Sequence, residues 1–343
     1  MSESEAVGEE VRASAGRLSV GVPTYNHAPY LRETIDSLLA QTVPPREIVI
    51  CDNHSTDGTA EILAGYAEEH SDRVRVVSPP EHLPMMANWN YLLGRMTGEW
   101  SALLSSDDLA LPCYVATLAE GILIGESATP RAVLARGAVE LMDADSEVLR
   151  ERKLTGSIEI PPQNFLDRVG GPKVDFGAAA WPKRIWEEVG GFPEDFRLAG
   201  DWAFWLRLCP HGSFITRATP IARYRRGHRS AAEELSRRLL WAEDFRRIYT
   251  EVVPEVAEAL GGPAVGVRDS VVRHARRMQC HKWLRSLSRK VPLEDRGTLA
   301  EGLERWARDC GVEEFLERFR VVPRMRRPRW RALRRWAATR GIG

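Results

Sequence analysis

Short apolar runs alternate with longer amphipathic stretches over the first hundred residues. The short runs are rich in β-branched residues and cover Leu18–Val22, Glu47–Cys51, Arg73–Val77 and Trp100–Leu104. Apolar residues at helical spacing occupy the stretches between them, Pro29–Gln41, Asp57–His70 and Pro84–Met96. This alternation predicts an α/β fold in which helices flank a mainly parallel sheet.

The second half of the chain is less regular. Strand candidates occur at Ala132–Arg136 and Ser213–Arg217, and Asp201–Leu208 is amphipathic. After residue 230 only helical periodicity remains, which predicts an all-helical C-terminal region over residues 231–343. Residues 17–230 are predicted to form one domain with halves at 17–112 and 113–230, preceded by an acidic, flexible N-terminus at 1–16.

Composition restricts the class of protein. Lys and Arg number 48 and are balanced by 48 acids, and five cysteines occur without a Cys-x-x-Cys spacing. This cysteine pattern argues against a disulfide framework and a structural zinc site, and it favours a reducing compartment. No run approaches the roughly 18 apolar residues that span a bilayer. We therefore expect a cytoplasmic protein, at most peripheral at the inner face of the membrane.

Polar residues follow three of the predicted strands at the point where each strand ends. They are Thr24, Tyr25 and Asn26, then Asp52 and Asn53, then Asp107 and Asp108. The carboxyl ends of parallel strands form the edge where open α/β sheets bind ligands, so these groups should converge. The chain has no glycine-rich phosphate loop. A divalent cation on Asp107 and Asp108 would supply the positive charge that a bound diphosphate requires.

Four segments give this pattern a family resemblance. VGVPTYNHAPYLRETIDSLLAQT, IVICDNHSTDGT, NYLLGRMTGEW and LLSSDDLALP occur in this order and cover nearly all of residues 17–112. They resemble the family 2 glycosyltransferases of GT-A fold, which implies a GT-A-type mixed, mainly parallel sheet. Further on, GAAAWPKRIWEEVGGF and RLAGDWAFWLRL are similar to the acceptor-side region of that family. The resemblance implies that Asp201 is the catalytic base.

The resemblance also implies a donor site and a metal site. It assigns nucleotide-sugar contacts to a set of residues at the strand ends and on the third helix: Pro23, Thr24, Tyr25, Asn26, Asp52, Asn53, Asn90, Ser106 and Asp107. Asp108 is implied as the ligand of Mg²⁺ or Mn²⁺, and His228 is a candidate for a further ligand. Asp201 also has a plain alternative role as a first-turn acid of its helix.

Two departures from the family pattern concern the donor. Many members have an acid where this chain has Asn53, so the base is open, with UDP or dTDP favoured over GDP. Some relatives have a basic residue near Pro84, Met85 and Met86, and this chain has none there. Arg95, Arg225 or Arg226 could supply that charge instead.

The end of the chain is strongly basic. Residues 320–343 contain nine arginines and no acid, and Trp330, Leu333 and Trp336 share one predicted helical face. This pattern is typical of an interfacial helix on anionic lipid, and a helix packed on the domain is the alternative. Nothing resembles a nucleic-acid-binding motif. The sequence is compatible both with membrane contact and with self-association as a homo-oligomer.

The sequence therefore predicts a metal-dependent, inverting glycosyltransferase that moves a hexosyl or deoxyhexosyl group from a nucleoside-diphosphate sugar to a hydroxyl acceptor. The acceptor would be a glycan, a glycolipid or a small glycoside, as in polysaccharide biosynthesis. One alternative is a sugar nucleotidyltransferase, which normally has a basic, glycine-rich phosphate loop. The other is a non-catalytic nucleotide- or membrane-binding protein on the same fold.

Overall fold

The computed structural model of the chain describes residues 3–227, 241–261 and 308. The chain divides into two units, Met1–Val272 and Arg273–Gly343, and the description below concerns the first. The candidate metal ligand His228 and the Arg-rich end of the chain lie outside the described residues.

A single mixed sheet of ten strands forms the centre of this unit. The strands are β1 Leu18–Thr24, β2 Glu47–Asp52, β3 Val74–Val77, β4 Trp100–Leu103, β5 Leu109–Ala110, β6 Ala132–Met142, β7 Val148–Arg152, β8 Ser157–Glu159, β9 Ala179–Pro182 and β10 Ser213–Arg225. Eight of them follow the order β3, β2, β1, β4, β9, β6, β10, β5, while β7 pairs with β6 and β8 with β10.

The first half of the sheet is parallel and the second half is mixed. Strands β1 to β4 pair in parallel, so their carboxyl ends lie at one edge. Strand β9 runs antiparallel to both β4 and β6, whereas β10 runs parallel to β6. The predicted mixed sheet is therefore confirmed, and its parallel part coincides with the regular alternation in the sequence.

Four helices lie where the apolar pattern predicted them, at residues 28–39, 59–69, 85–95 and 200–208. The helices in the described residues are α1 Glu3–Ala15, α2 Ala28–Leu39, α3 Thr59–Glu69, α4 Met85–Arg95, α5 Tyr114–Ser127, α6 Gln163–Arg168, α7 Lys183–Glu188, α8 Gly200–Leu208, α9 Trp241–Arg247 and α10 Val253–Ala259. A π-helical turn, Ile248–Val252, joins α9 and α10. On α2 the buried face consists of Leu31, Thr34, Ile35 and Leu38. Burial of such an apolar face is the main source of stability for a helix of this length.

Strand β6 is twice as long as the apolar pattern indicated, because it continues through Arg136 and Gly137. A side chain at position 137 would place its Cβ within 2.7 Å of the side chain of Ile221 on β10. Glycine is therefore what allows β6 and β10 to approach each other here, although glycine usually interrupts a strand pattern. Arg136 is also buried, and its Nε donates to the hydroxyl of Thr216 at 2.9 Å.

The N-terminus differs from the flexible segment predicted from its acidic composition. Residues 3–15 form α1, and its Val11 and Ala15 join the hydrophobic core. The hydroxyl of Ser14 donates to the carbonyl of Ala119 on α5 at 3.2 Å. Glu5, Glu9 and Glu10 are exposed, so the acidic composition concealed one buried stripe on this helix.

In the described part of the C-terminal region, residues 241–259 are helical and contact α8. Within the residues that the structure describes, every helix is too short or too polar to traverse a lipid bilayer.

Candidate active site

Hydrogen bonds join the loops that follow β1, β2 and β4. The N–H of Asn26 donates to the hydroxyl of Ser55 at 2.9 Å, and the Asn26 side-chain oxygen accepts from the N–H of Thr56 at 2.7 Å. The ring nitrogen Nδ1 of His27 lies 2.7 Å from the hydroxyl of Ser106. The loops at these three strand ends therefore lie together, as the sequence predicted. The sequence does not indicate a role for His27 at the site, because its position is typical of a residue at the start of a helix.

Several predicted donor contacts lie at the ends of β1 and β2. Asp52 is buried and accepts the N–H of Ser55 at 3.1 Å. The hydroxyl of Thr24 is buried and has no hydrogen-bond partner among the described residues. Tyr25 is 45% exposed, with its ring centroid 4.5 Å from that of His82. Pro23 pairs with Cys51 in the β1–β2 register. The strand ends thus carry a buried carboxylate, a buried hydroxyl and an exposed aromatic ring.

The side chain of Asn53 forms hydrogen bonds with the backbone of a neighbouring loop. Its side-chain nitrogen donates to the carbonyl of Leu83 at 2.8 Å, and its side-chain oxygen accepts the N–H of Leu83 at 2.9 Å. The backbone carbonyl of Asn53 also lies 2.9 Å from Nδ1 of His82. This reciprocal pair needs an amide, because a carboxylate cannot donate to the Leu83 carbonyl. The missing acid at position 53 therefore has a structural explanation.

Asn90 likewise holds a turn and is not among the residues that line the cavity described below. Its side-chain oxygen accepts from the N–H of Phe192 at 2.9 Å and from the indole N–H of Trp186 at 3.2 Å. Its side-chain nitrogen donates to the carbonyl of Phe192 at 2.8 Å. Gly191 has φ +75°, and a Cβ there would lie 2.7 Å from the Asn90 oxygen. Asn90 thus holds this turn, and its predicted contact with the donor stays a prediction.

The loop that carries Asp107 and Asp108 is fixed from two sides. The hydroxyl of Thr34 on α2 donates to the carbonyls of Ser106 and Asp108, at 3.0 and 2.8 Å. On the other side, Nε of Arg225 donates to the carbonyl of Asp107 at 2.8 Å. Such paired backbone contacts make the position of both carboxylates well defined.

Burial dominates the electrostatics of Asp108. The residue is 3% exposed, and its Oδ1 accepts the backbone N–H of Arg225 at 2.9 Å. Loss of solvent, followed by the neighbouring charge of Asp107, raises the pKa of Asp108 well above its ordinary value. A carboxylate in this state gains most from a positive charge brought close to it.

One cavity of about 270 Å³ brings Asp108 and Asp201 together. Asp108 follows β4 and Asp201 lies in the first turn of α8, so residues 93 positions apart line the same space. Asp175, Arg152 and Arg226 line it as well. The two predicted chemical groups therefore face one volume.

Asp201 is half-buried at the start of α8. Its Oδ1 accepts the N–H of the next residue, Trp202, at 2.7 Å. Burial raises the pKa of Asp201 to about 6, against the opposing effect of the Trp202 N–H. A carboxyl group with a pKa near neutrality is a better proton acceptor at physiological pH than one with an ordinary pKa.

Three charged cavity residues carried little signal in the sequence. Asp175 lies before a short 3₁₀ turn and forms an ion pair with Arg152 of β7. Burial raises the pKa of Asp175, although Arg152 and Arg226 oppose that rise. Asp175 belongs to an irregular stretch and Arg152 to an exposed strand, so neither follows a strand-end pattern. Of these three residues, the sequence indicates only Arg226 as a phosphate contact.

The other candidate phosphate contacts do not line this cavity. Arg225 is 2% exposed, and its guanidinium donates to the carbonyls of Asp107 and Ala144 and pairs with Glu33. Arg95 lies over the ring of Tyr91, 3.6 Å from its centroid. Of the three candidate arginines, Arg226 is the one that lines the cavity. Its guanidinium lies 5.5 Å from the ring centroid of Tyr224.

The donor set at Asp108 suits a hard divalent cation. Among the described residues no three His, Cys, Asp or Glu side chains form a cluster that could enclose a metal. Mg²⁺ and Mn²⁺ do not require such a cage, because they bind through one or two carboxylates and take further oxygens from phosphates and water. A single buried carboxylate at the edge of a cavity fits that mode of binding.

Comparison with known sequences identifies a family over the first third of the chain. Residues 19–130 match the Glycosyl transferase family 2. EpsE and TuaG of Bacillus subtilis (strain 168) are 35% and 40% identical over 99 and 91 residues, which are 29% and 26% of this chain and 36% of each protein. Glycosyltransferase GlyA of Streptococcus pneumoniae serotype 4 is 34% identical over 107 residues, 31% of this chain and 15% of that protein. The match thus spans about a third of the length of EpsE and TuaG, and less of GlyA.

Solved structures extend the likeness to most of the chain. Residues 1–349 of S. aureus TarS, in complex with UDP-GlcNAc, align with a TM-score of 0.66 at 16% identity and cover 86% of this chain and 81% of that one. A mannosyltransferase from Pyrobaculum calidifontis, in complex with GDP-Man and Mn²⁺, aligns with a TM-score of 0.50 at 19% identity, over 88% and 84% of the two chains. At these identities the likeness concerns the fold.

Proposed function

We propose that this chain, which carries a family 2 glycosyltransferase domain with the GT-A fold, transfers a sugar from a nucleoside diphosphate to a hydroxyl group with inversion at the anomeric carbon. The observation that carries the proposal is the shared cavity of Asp108 and Asp201. Displacement at a sugar carbon needs a base for the attacking hydroxyl and compensation for the charge of the departing diphosphate. These two carboxylates are suited to the two tasks.

Asp201 is the proposed general base. Its carboxylate takes the proton of the acceptor hydroxyl while that oxygen forms a bond to the anomeric carbon. The bond between that carbon and the diphosphate oxygen breaks, and its electron pair leaves with the nucleotide. Attack and departure on opposite faces give inversion. The pKa of Asp201, raised to about 6 by burial, leaves the group ionised at neutral pH and still basic.

Asp108 is the proposed ligand of Mg²⁺ or Mn²⁺, and Asp107 contacts the donor beside it. When bound, the cation supplies a Lewis acid that stabilises the negative charge of the diphosphate. The buried carboxylate of Asp108, with a pKa raised by loss of solvent, supports this assignment. His228 stays a proposed further ligand.

Arg226 is the proposed cationic partner of the diphosphate. It lines the cavity, and its guanidinium forms no ion pair within the described part of the chain. Guanidinium groups bind phosphate oxygens through two parallel hydrogen bonds, which suits a diphosphate. This role would replace the basic residue that the chain lacks at positions 84–86.

The ends of β1 and β2 are the proposed nucleoside site. The exposed ring of Tyr25 offers a face for stacking, while Asp52 and the unpartnered hydroxyl of Thr24 offer polar contacts. TarS binds UDP-GlcNAc and the Pyrobaculum enzyme binds GDP-Man. We expect UDP or dTDP here, with Asp52 as the acid in reach of a pyrimidine N–H and Asn53 as its support.

A donor screen tests this function. Purified protein is incubated with Mn²⁺ and a panel of UDP-, dTDP- and GDP-sugars, and nucleotide release is measured with and without a mixture of glycoside acceptors. We expect release from at least one donor, stimulated by an acceptor and removed by EDTA. In Asp201→Asn we expect release to fall by about 10²-fold or more, since base catalysis contributes roughly 10²–10⁴. Unchanged turnover in Asp201→Asn would reject this base.

A further inference from the structure

Asp244, on α9, is a buried carboxylate that the chemistry above does not use. It is 2% exposed, and the structure gives it no ion pair with a cation among the described residues. Its Oδ2 accepts three consecutive backbone N–H groups, from Arg197 at 3.0 Å, Leu198 at 2.7 Å and Ala199 at 2.9 Å. A buried carboxylate with three such donors is held tightly and holds its donors equally tightly.

These three N–H groups lie directly before α8, the helix that begins at Gly200 and carries Asp201 in its first turn. The residue at the N-cap is Ala199, which has no side-chain oxygen to accept the free N–H groups of a helix start. Asp244, on a different helix, instead accepts the N–H groups of the N-cap Ala199 and of the two residues before it. The position of the α8 N-terminus therefore depends on α9.

The same helical segment also fixes the residue on the other side of Asp201. The indole ring of Trp202 packs edge-on against Phe245 at 5.2 Å and against Tyr249 at 5.7 Å, measured between ring centroids. Trp202 is fully buried, and its backbone N–H is the donor to Asp201 Oδ1. Residues 244–249 thus hold the backbone of residues 197–199 before Asp201 and the ring of Trp202 after it.

We propose that Asp244 is a positioning residue for the base Asp201, and that α9 is therefore part of the transferase site. The proposal rests on the assignment of Asp201 as base. Asp244 touches backbone only, so it acts through the placement of the α8 N-terminus. An error of about 1 Å in the position of a base can lower the rate of the chemical step about 10²-fold, while the affinity for the donor is unaffected.

The test compares Asp244→Asn with Glu258→Gln in the full chain. Glu258 is exposed on α10, so its substitution removes the same charge from the same segment without touching residues 197–199. The measurements are kcat for nucleotide release from the best donor of the panel, the Kd of its nucleotide with Mn²⁺, and hydrogen exchange of the amides of residues 197–205. We expect Asp244→Asn to lower kcat 10- to 100-fold, to change Kd less than about twofold, and to speed exchange of these amides. Glu258→Gln should leave all three unchanged.

A folded Asp244→Asn with faster exchange and a kcat equal to that of the control would overturn the proposal. Equal losses in kcat and in nucleotide affinity would also overturn it, because they indicate general disruption. If Asp244→Asn does not fold, Phe245→Leu loosens the Trp202 contact and should give a smaller loss, confined to kcat. If the unmodified chain releases no nucleotide from any donor, the proposed function fails, and the positioning role fails with it. Normal turnover in the unmodified chain and in Asp244→Asn rejects the positioning role alone.

Discussion

The backbone N–H of Arg225 donates to Oδ1 of Asp108 at 2.9 Å, while the Arg225 side chain donates to the carbonyl of Asp107 at 2.8 Å. One residue at the end of β10 therefore sets both the loop and the carboxylate proposed to bind the cation. Its guanidinium also bonds to the carbonyl of Ala144 and pairs with Glu33. Arg225 joins the two halves of the sheet at the site.

Substitution of Arg225 should damage stability and cation binding together. Arg225→Met leaves the buried carbonyl of Asp107 without its donor and removes the ion pair with Glu33, so we expect a loss of about 2–4 kcal/mol in the free energy of unfolding. Chemical denaturation measures this loss. Arg217→Met is the matched control on the same strand, because Arg217 pairs with Glu120 near the surface and should contribute at most about 1 kcal/mol. Equal losses for the two variants would show that the Arg225 side chain does not stabilise the loop of Asp107 and Asp108.

The raised pKa of Asp201 predicts how turnover depends on pH. A base must be deprotonated to act, and burial raises the pKa of Asp201 to about 6. We expect kcat to fall about tenfold for each pH unit below that value. A pH–rate profile of nucleotide release between pH 4.5 and 8 measures this limb, and a rate that is flat down to pH 4.5 would exclude Asp201 as the base.

The same shift predicts a pH dependence of stability. Because the folded-state pKa of Asp201 is raised, its ionisation destabilises the folded state. The penalty is absent below the ordinary pKa of 3.8 and fully present above about 6. At roughly 1.4 kcal/mol per pKa unit it reaches about 3 kcal/mol. Asp201→Asn should therefore be more stable than the unmodified chain at pH 7.5, with an advantage that shrinks toward pH 4.

Thermal melts across this pH range provide the measurement for the stability of Asp201→Asn. The substitution keeps an oxygen that can accept the Trp202 N–H, so the charge is what changes. Asp145→Asn removes a charge from an exposed position and serves as the control, with no pH-dependent gain expected. An advantage of Asp201→Asn that is constant with pH would show that burial does not raise this pKa.

Asn53 should tolerate an acid poorly, although many members of the family have one at this position. Asn53→Asp places a carboxylate against the Leu83 carbonyl in place of the amide donor, at a cost of about 1–3 kcal/mol. Asn26→Asp is the control, because Asn26 uses only its oxygen, toward Thr56. Chemical denaturation compares the two variants. A change in the ratio of UDP to GDP affinity in Asn53→Asp without a loss of stability would contradict this structural role. It would indicate that Asn53 contacts the nucleotide base directly.

The parallel half of the sheet could be predicted because local signals there agree with the fold. Leu31, Ile35 and Leu38 repeat at helical spacing and all face the core. The same agreement let the sequence predict that Asp52 and Asp108 follow strand ends.

Contacts between distant segments could not be predicted in this way. Asn90 bonds to Phe192, which lies 102 positions away, and no local pattern indicates that pair. Asp244 has no sequence signal, because its partners are backbone N–H groups 45 to 47 positions earlier. Composition also misrepresented α1, since one buried stripe lies among its acids. Polar side chains show their chemistry in the sequence, but the surroundings that direct that chemistry come from the tertiary fold.

The central claim is that Asp108 binds a divalent cation that compensates the charge of a nucleotide diphosphate. Isothermal titration of UDP, dTDP and GDP, with and without Mn²⁺, measures this directly in the unmodified chain, Asp108→Asn and Asp201→Asn. We expect Mn²⁺ to tighten binding of at least one nucleotide by about tenfold or more, or roughly 1.4 kcal/mol. This gain should be lost in Asp108→Asn and kept in Asp201→Asn. Nucleotide binding that is independent of Mn²⁺ in the unmodified chain, or a gain that persists in Asp108→Asn, would contradict the account.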